Sequence, residues 1–314
     1  MRIAISTKII LLVISFLAVA TIFFANKSSN LFKTVLVQKE EQINLSMATS
    51  RLKEVDSALL STKERIDVIG TMLAKMDPTL KEKKDKSTDD FTINFNKDKN
   101  LISLEVYRVS SKGIELLERR VKEDILKQYK LPVTYIDYVR KYAPFPIRSV
   151  AQKNIEIMNT SFPSGPPLFS MGVPLLVDEF GNVTHIAVAD ISLSLIQKPF
   201  TNNTETSAYT LFMTDKSGVL LAHVDEKQAL SRTKYGNLPI VKKAIKDSSK
   251  LAQQTQYTDP QTELIMIGAY ANSPFGISVF SQIEKNKVLE PSEIVERDTW
   301  HIAGTVKLSL RVQA

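Results

Sequence analysis

The sequence predicts an α+β protein in which an N-terminal membrane helix continues into a long helix and is followed by two antiparallel-sheet modules. Three observations support this fold class: an uncharged apolar run near the N-terminus, a stripe of apolar residues at helical spacing, and strand-like blocks joined by turns. The chain of 314 residues is long enough for two domains of ordinary size.

The apolar run extends from Ile9 to Ala25 and follows a short start that carries Arg2 and Lys8. Its length is near the minimum for crossing a bilayer. Two interpretations are open, a signal peptide cleaved after Ala20 and an uncleaved signal anchor. The anchor is favoured because apolar residues continue past the cleavage site. We therefore expect a single-pass protein of the bacterial inner membrane, with its bulk in the periplasm.

A stripe of residues spaced alternately by three and four predicts one long helix, which should end before the Asp77-Pro78 pair. Such a stripe either holds a homodimer together or packs on the chain's own sheets. We expect most of it to pack on the sheets, and the part before Leu45 to be the better candidate for meeting a second subunit. The stripe is Leu45, Ala48, Leu52, Val55, Leu59, Thr62, Ile66, Ile69, Leu73 and Met76.

Composition argues against several classes of function. The net charge is +7, but the densest basic run, Lys81 to Lys86, contains acids and no aromatic residue, so no nucleic-acid partner is expected. The absence of cysteine excludes disulfides and thiolate chemistry. The histidines, His185, His223 and His301, are far apart in sequence, and no phosphate-binding loop or nucleophile elbow occurs. We expect no metal, no cofactor, no catalytic residues and no enzymatic activity.

The rest of the chain divides into strands and short helices. Two strands joined by Ser111-Lys112-Gly113 predict a hairpin, and the helical region after them is interrupted at Pro132. A later helix has Asn237 as its expected cap and Pro239 in its first turn. The predicted strands are 101–109, 114–121, 147–160, 168–177, 183–191, 209–214, 219–223, 255–258, 263–271 and 276–283, and the predicted helical regions are 122–142 and 238–250.

Two blocks share the pattern strand, Asp-x-x-Gly, strand. The first has Asp178 and Gly181 in its turn, and the second has Asp215 and Gly218. Each turn suits a tight reversal with a positive φ at the glycine. We interpret the blocks as hairpins from two related sheet modules.

The predicted domains divide the chain into five parts. The C-terminal part ends in Trp300 and a short apolar stretch interrupted by Lys307 and Arg311, which we interpret as an incomplete second transmembrane segment. The parts are the membrane anchor at 1–26, the long helix at 27–77, the membrane-distal module at 78–200, the membrane-proximal module at 201–290 and the C-terminal helix at 291–314.

Three residues are candidates for a ligand site. Asp190 lies at the end of an apolar strand, where a carboxylate must be paired, either structurally or with a cationic group of a ligand. Arg148 lies between apolar residues and either binds a ligand carboxylate or lies on the surface. Tyr107, together with Tyr135, either lines the same space or packs in the core.

Three stretches together resemble double Cache sensor domains, which are extracytoplasmic bacterial domains with two stacked PAS-like modules. They are GVPLLVDEFGNVTHIAVADISLSLIQK, LFMTDKSGVLLAHVDEK and GAYANSPFGISVFSQIEKNKVLEP. The resemblance implies a small-molecule ligand in the membrane-distal module. Its amino-acid-binding members use a Tyr, Arg, Trp, Tyr, Asp set; Asp190 matches the aspartate, but the Arg-x-Trp part is not matched, because the only tryptophan is Trp300.

In detail, the stretches PFPIRSV and FGNVTHIAVADI are most similar to the sensor portions of membrane-bound adenylate/guanylate cyclases. That similarity implies a sensor truncated before its output domain. The expected function is a membrane-anchored sensor whose long helix passes ligand binding to the membrane. The alternatives are a soluble periplasmic binding protein, a non-signalling remnant of a cyclase or chemoreceptor, and an adhesion module without a ligand.

Overall fold

One long helix and two five-stranded antiparallel sheets form the framework of the protein in a computed structural model, which describes residues 5–77, 95–201, 208–294 and 297. The long helix, α1, spans Ile5–Ala74 and at 1.5 Å per residue is about 105 Å long. This architecture confirms the predicted α+β fold class. The strands are β1 Leu101–Ser110, β2 Gly113–Val121, β3 Glu156–Asn159, β4 Leu168–Val177, β5 Val183–Ser192, β6 Thr210–Thr214, β7 Leu220–His223, β8 Ala252–Thr258, β9 Ile265–Asn272 and β10 Ser278–Glu284.

The two sheets share one topology. Their strand orders are β2-β1-β5-β4-β3 and β7-β6-β10-β9-β8, so β6 takes the place of β1 and each later strand follows in turn. Neighbouring strands pair antiparallel throughout both sheets. The shared order supports the interpretation of the chain as two related sheet modules.

Short helices pack on both sheets, and residues of Ser194–Thr201 and Glu226–Leu230 belong to the same apolar core as α1. Two of them replace the single predicted helical region and lie on either side of Pro132, as the interruption there predicted. Residues 285–294 are also helical. The short helices are Glu123–Gln128, Tyr135–Tyr142, Ile147–Ala151, Ser194–Thr201, Glu226–Leu230 and Pro239–Lys246.

Two predictions of local structure are wrong. The predicted strand 147–160 begins as the helix Ile147–Ala151, because Pro146 supplies a φ of −78° that suits the start of a helix. The helix predicted to run to residue 250 ends at Lys246, and Leu238 rather than Asn237 occupies its N-cap position, without a side-chain cap.

The apolar stripe of α1 packs on both sheets of its own chain. α1 contacts β1, β4 and β5 of the first sheet and β8, β9 and β10 of the second. Thr62, the polar break in the stripe, is buried and donates its hydroxyl to the backbone oxygen of Ala58 at 2.8 Å. The members that are fully buried are Ala48, Val55, Leu59 and Ile66 at 0%, Ile69 at 3% and Leu73 at 2% exposure.

The end of α1 is tied to the first sheet by a buried carboxylate. α1 ends at Ala74, and Asp77 follows after one turn with only 4% of its surface exposed. Its carboxylate lies 3.1 Å from Nε2 of the buried His185 and 3.3 Å from Nη1 of Arg108. β1 and β5 are therefore both joined to the C-terminal end of the long helix.

The Asp-x-x-Gly turns have the predicted geometry. Gly181 has a φ of +80° and Gly218 a φ of +78°. In each turn the aspartate Oδ1 accepts two backbone N–H bonds, at 2.9 and 2.7 Å for Asp178 and at 2.9 and 3.0 Å for Asp215.

The two turns do not occupy the same place in the two modules. The Asp178 turn joins β4 to β5, whereas the Asp215 turn joins β6 to β7, the counterparts of β1 and β2. The counterpart of the Asp178 turn is the turn at Gly276, which has a φ of +75° but no aspartate. Equivalent hairpins thus keep the glycine geometry while the residue that stabilises the turn varies.

The N-terminal part of α1 is the one helix among the described residues that is long and apolar enough to cross a membrane. Its side chains include the exposed Leu12, Phe16 and Phe24. Several predictions lie outside the described residues, namely those on residues 81–86 and on Trp300, His301, Lys307 and Arg311.

Replacing Gly218 by alanine should destabilise the fold more than replacing Gly276. Both glycines have the same φ, which costs alanine about 1 kcal/mol. A Cβ at Gly218 would also lie 2.5 Å from Cα of Gly236, whereas nothing lies within 4 Å of one at Gly276. We expect Gly218→Ala to lower the free energy of unfolding by roughly 3 kcal/mol. Denaturant unfolding checks this, and equal losses in the two variants would contradict the close approach at Gly218.

The packing of α1 is tested by two adjacent leucines. Leu59 is fully buried against the sheets, whereas Leu60 is 51% exposed. Leu59→Ala should lower the free energy of unfolding by about 2–5 kcal/mol because it leaves a cavity. Leu60→Ala should change it by less than about 0.5 kcal/mol. A larger loss at Leu60 would show that the outer face of α1 is covered.

Candidate functional site

The first sheet is covered on both faces, and one face carries polar side chains. Leu104 and Val106 of β1 point to α1 and belong to the apolar core there. Because side chains alternate along a strand, Ser103, Glu105 and Tyr107 point to the opposite face. The helix Tyr135–Tyr142 lies over this second face, where charged groups are enclosed.

Asp190 forms the centre of this face. It is fully buried on β5, opposite Ser103 of β1 and Ser170 of β4. Both serine hydroxyls donate to its carboxylate, Ser170 at 2.5 Å. Arg140 donates two more hydrogen bonds, from Nη1 to Oδ1 at 2.8 Å and from Nη2 to Oδ2 at 2.9 Å. Asp190 therefore has a bidentate cationic partner within its own chain.

Arg140 also joins Asp190 to a second buried acid. Its Nε donates to Oε2 of Glu105 at 2.8 Å, and Arg119 on β2 donates to the other oxygen at 2.7 Å. The Tyr107 hydroxyl donates to Oε2 of Glu105 at 3.0 Å. Glu105 is fully buried, and each arginine is only partly exposed, 13% for Arg140 and 23% for Arg119. Two acids and two arginines thus share one desolvated network.

The network shifts the pKa values of its members. Burial opposes the charge on Arg140, but the carboxylates of Asp190 and Glu105 outweigh it and raise the pKa of Arg140. Burial, and then the charge of Glu105, raises the pKa of Tyr107. Burial, and then the charge of Asp190, raises the pKa of Tyr135 to about 12. At neutral pH the arginine is charged and both tyrosines are protonated donors.

The hydroxyl of Tyr135 is buried and makes no hydrogen bond among the described residues. A Cβ at Gly165, in the loop after β3, would overlap this hydroxyl, so only glycine lets the loop lie against it. Burying an unbonded hydroxyl costs about 1–3 kcal/mol. Its position near Asp190 makes it a free donor at the edge of the charged network.

The structure brings two of the three predicted site residues together. Asp190 and Tyr107 both belong to the network, linked through Glu105 and Arg140. Arg148 lies apart, exposed on the helix Ile147–Ala151. The arginine that contacts Asp190 is Arg140, which sequence reasoning missed.

A helical pattern could have identified Arg140. The helix Tyr135–Tyr142 buries Tyr135, Ile136 and Val139. Arg140 follows Ile136 by four residues and so shares the buried face, where a charged side chain needs a partner. Arg148 has no such helical pattern around it.

The described residues contain no group of three or more His, Cys, Asp or Glu side chains arranged to hold a metal. His185 lies on β5 of the first sheet and bonds to Asp77, which follows the end of α1. His223 lies on β7 of the second sheet, where burial lowers the pKa of its imidazole. Both histidines have structural partners.

A polar junction joins the first sheet to the second. Asn159, at the end of β3, is fully buried and donates its amide to the backbone oxygens of Leu220 at 2.7 Å and Ala229 at 2.8 Å. Glu156 of β3 pairs with Lys216 in the turn after β6. β3 is therefore the strand through which the two modules meet.

No protein-family model and no curated protein sequence matches the chain. Several solved structures match the chain by fold. The periplasmic sensory domain of the Campylobacter jejuni chemoreceptor Tlp1 matches with a TM-score of 0.54 and 12% identity, over 82% of this chain and 99% of that domain. The extracellular domain of rpHK1S-Z16, assigned as a histidine kinase, matches with a TM-score of 0.51 and 14% identity, over 80% of this chain and 97% of that domain. A third match is the ligand-binding domain of the Pseudomonas aeruginosa PAO1 amino acid chemoreceptor PctC in complex with GABA. Its TM-score is 0.49 and its identity 13%, over 78% of this chain and 100% of that domain.

At these identities the likeness is one of fold. The chain has the double Cache sensor-domain fold, as the sequence resemblance implied. The first of these structures is a chemoreceptor sensory domain, and the second is the extracellular domain of a protein assigned as a histidine kinase.

Arg140 and Asp190 should be strongly coupled, because each compensates the buried charge of the other. Replacing either partner leaves a buried charge without its counterpart, so Arg140→Met and Asp190→Asn should each lower the free energy of unfolding by about 3–5 kcal/mol. The double variant should lose less than the sum of the two. The exposed pair of Lys127 and Glu123 is the control, since Lys127→Met should change stability by less than about 1 kcal/mol. Additive losses in denaturant unfolding would show that the pair is not coupled.

Proposed function

We propose that this chain is the extracytoplasmic ligand-sensing part of a membrane signal-transduction receptor. Its ligand site is the face of the distal module, residues 78–200, that carries Asp190, Arg140 and Tyr135. The proximal module is residues 201–290, and the long helix at 27–77 joins both to a membrane anchor at 1–26. The observation that carries the proposal is the buried bidentate pair of Arg140 and Asp190 beside the unbonded Tyr135 hydroxyl.

The chemistry of this face suits a small zwitterion. A ligand carboxylate takes two parallel hydrogen bonds from Arg140 and a third from Tyr135, and a ligand ammonium takes the place of the guanidinium at Asp190. Tyr, Arg and Asp are three of the residue types in the set that the double Cache resemblance implies. The tryptophan of that set has no counterpart here.

Binding exchanges one ion pair for two. Without a ligand, Arg140 and Asp190 satisfy each other, so neither charge is buried alone. A zwitterion separates them and pairs with each, which keeps every buried charge compensated. An uncharged or anionic ligand leaves Asp190 without a cationic partner, whereas Arg140 keeps its bond to Glu105. The site therefore discriminates by charge pattern.

Separation of the pair offers a path to the second module. Asp190 is bonded to Ser170, and Ser170 to Thr160 at 2.8 Å. Thr160 follows Asn159, whose amide bonds to backbone oxygens of the second module. Movement of β3 and β4 would also displace α1, because α1 packs on both sheets. Helix displacements of about 1–2 Å are the scale of known signalling switches.

Two further parts belong to the same proposal. The receptor acts as a homodimer through α1 before Leu45, where Leu31, Phe32 and Val35 are exposed by 65%, 44% and 51%. We also propose an adenylate/guanylate cyclase as the output of the receptor, on the similarity of PFPIRSV and FGNVTHIAVADI alone. Fractionation of cells that express the chain tests the anchor, because a soluble binding protein would leave the membrane fraction.

Ligand binding is tested by thermal unfolding of the full chain in lipid nanodiscs. The probes are the twenty amino acids, GABA, simple amines and simple carboxylic acids. At least one zwitterion should raise the melting temperature, since a ligand at 100 times its Kd adds about 2.7 kcal/mol of stability. Asp190→Asn should abolish the shift, and Asp124→Asn, an exposed acid of the same module, should keep it.

A second variant covers the case in which Asp190→Asn does not fold. Tyr135→Phe removes only a hydroxyl that has no partner among the described residues, so it should fold normally. The affinity of this variant for the same zwitterion should be roughly tenfold lower, because a hydrogen bond to the charged carboxylate of the ligand is lost. Full responses in both Asp190→Asn and Tyr135→Phe would place the ligand elsewhere.

A further inference from the structure

A cavity lies between the two modules, away from the network of Asp190. Its volume is about 370 Å³, near the lower end of the range for small-molecule sites. The distal module contributes one wall and the proximal module the other. The lining residues are Tyr142, Ser161 and Pro163 from the distal module and Lys227, Leu230, Ser231 and Arg232 from the proximal module.

The charges that line this cavity are both positive. Within the described parts of the chain, the side chains of Arg232 and Lys227 make no hydrogen bond or ion pair, and Nε of Arg232 is buried. Asp215 attracts Arg232, but its Oδ1 accepts from the backbone of Ser217 and Val219 instead. A buried guanidinium donor without an acceptor is costly, and an anion in the cavity would satisfy it.

The orientation of Arg232 suits a planar anion. Its guanidinium lies over the ring of Tyr142, 5.1 Å from the ring centre. Stacking covers one face of the guanidinium and leaves the N–H donors at its edge free for a carboxylate. The backbone of Arg232 has a φ of +54°, a left-handed conformation that costs a non-glycine residue energy and is held here by its N–H bond to Ala229.

The remaining walls are apolar. Tyr142 presents its ring, which packs edge-on against Phe162 at 4.9 Å. Pro163 and Leu230 add aliphatic surface from opposite modules. Ser161 is not a free donor, because its hydroxyl bonds to the backbone of Leu168. The site thus combines two cations with aromatic and aliphatic walls, which favours an anion that carries an apolar body over a bare inorganic ion.

We propose that this cleft binds a small aromatic carboxylate, of the size of benzoate, and that the ligand bridges the two modules. The carboxylate pairs with Arg232 and lies near Lys227, while the ring packs between Tyr142 and Leu230. Tyr142 ends the helix that also carries Arg140, so occupancy of the cleft stabilises that helix over the distal site. The cleft is a second ligand site, lined by residues other than those of the distal site.

Calorimetric titration of the full chain in nanodiscs tests the proposal with sodium benzoate. Benzyl alcohol has the same ring without the charge, and inorganic phosphate has the charge without the ring. Benzoate should bind saturably and roughly tenfold or more tightly than either comparison compound, because each lacks one of the two interactions. Absence of benzoate binding, or equal binding of phosphate or benzyl alcohol, would overturn the proposal.

Variants locate the site. Lys227 is exposed, so Lys227→Glu should fold normally and reverse the charge at the rim. Lys227→Glu and Arg232→Met should each weaken benzoate binding by roughly tenfold, as expected for loss of a charged partner. Lys242→Glu, an exposed lysine on the helix Pro239–Lys246, should leave it unchanged. Unchanged binding in Lys227→Glu and Arg232→Met would show that the cleft is not the site.

One more variant separates this proposal from that of the distal site. Asp190→Asn should keep full benzoate binding, since Asp190 does not line the cleft. Tighter benzoate binding in a folded Asp190→Asn chain, in which Arg140 is released for an anion, together with unchanged binding in Lys227→Glu, would assign the anion to the distal site and overturn the inter-module site.

Discussion

The long helix lies with one apolar stripe against both sheets, and each sheet needs that stripe to cover its inner face. Residues of α1, of the first sheet and of the second sheet form one continuous apolar core. Moving α1 along its axis would uncover apolar surface on both modules at once, and the loss would scale with the area exposed. This shared core joins the two separate sheets along α1. It also makes α1 the element best placed to report a change in either module.

The outer face of the first sheet follows a different rule, because its buried groups are charged. Glu105 and Asp190 can be buried only while Arg119 and Arg140 compensate them. The requirement for compensation holds the covering helix in place, since Arg140 bonds to both acids. In the proposed ligand site, the same requirement would select a ligand that supplies a cationic group to Asp190 in place of Arg140.

The junction between the modules combines a buried amide with a basic cavity. Asn159 bonds to two backbone oxygens of the second module, one of them on Ala229, and Arg232 bonds back to the same residue. Changes in β3 and occupancy of the cleft therefore act on one short segment, Glu226–Leu230. Two ligand sites that bias the same segment would be coupled, and the coupling would be equal in both directions.

The sequence by itself determined the elements whose signals are local. The spacing of three and four residues specifies α1, and the Asp-x-x-Gly pattern specifies turns with positive φ at Gly181 and Gly218. It also identified Asp190, because a carboxylate in an apolar strand must have a partner. The tertiary structure alone decided that the partner is Arg140 rather than Arg148, since that depends on which short helix lies over the sheet. It likewise decided that the two Asp turns are not equivalent, because strand order arises from contacts far apart in the chain.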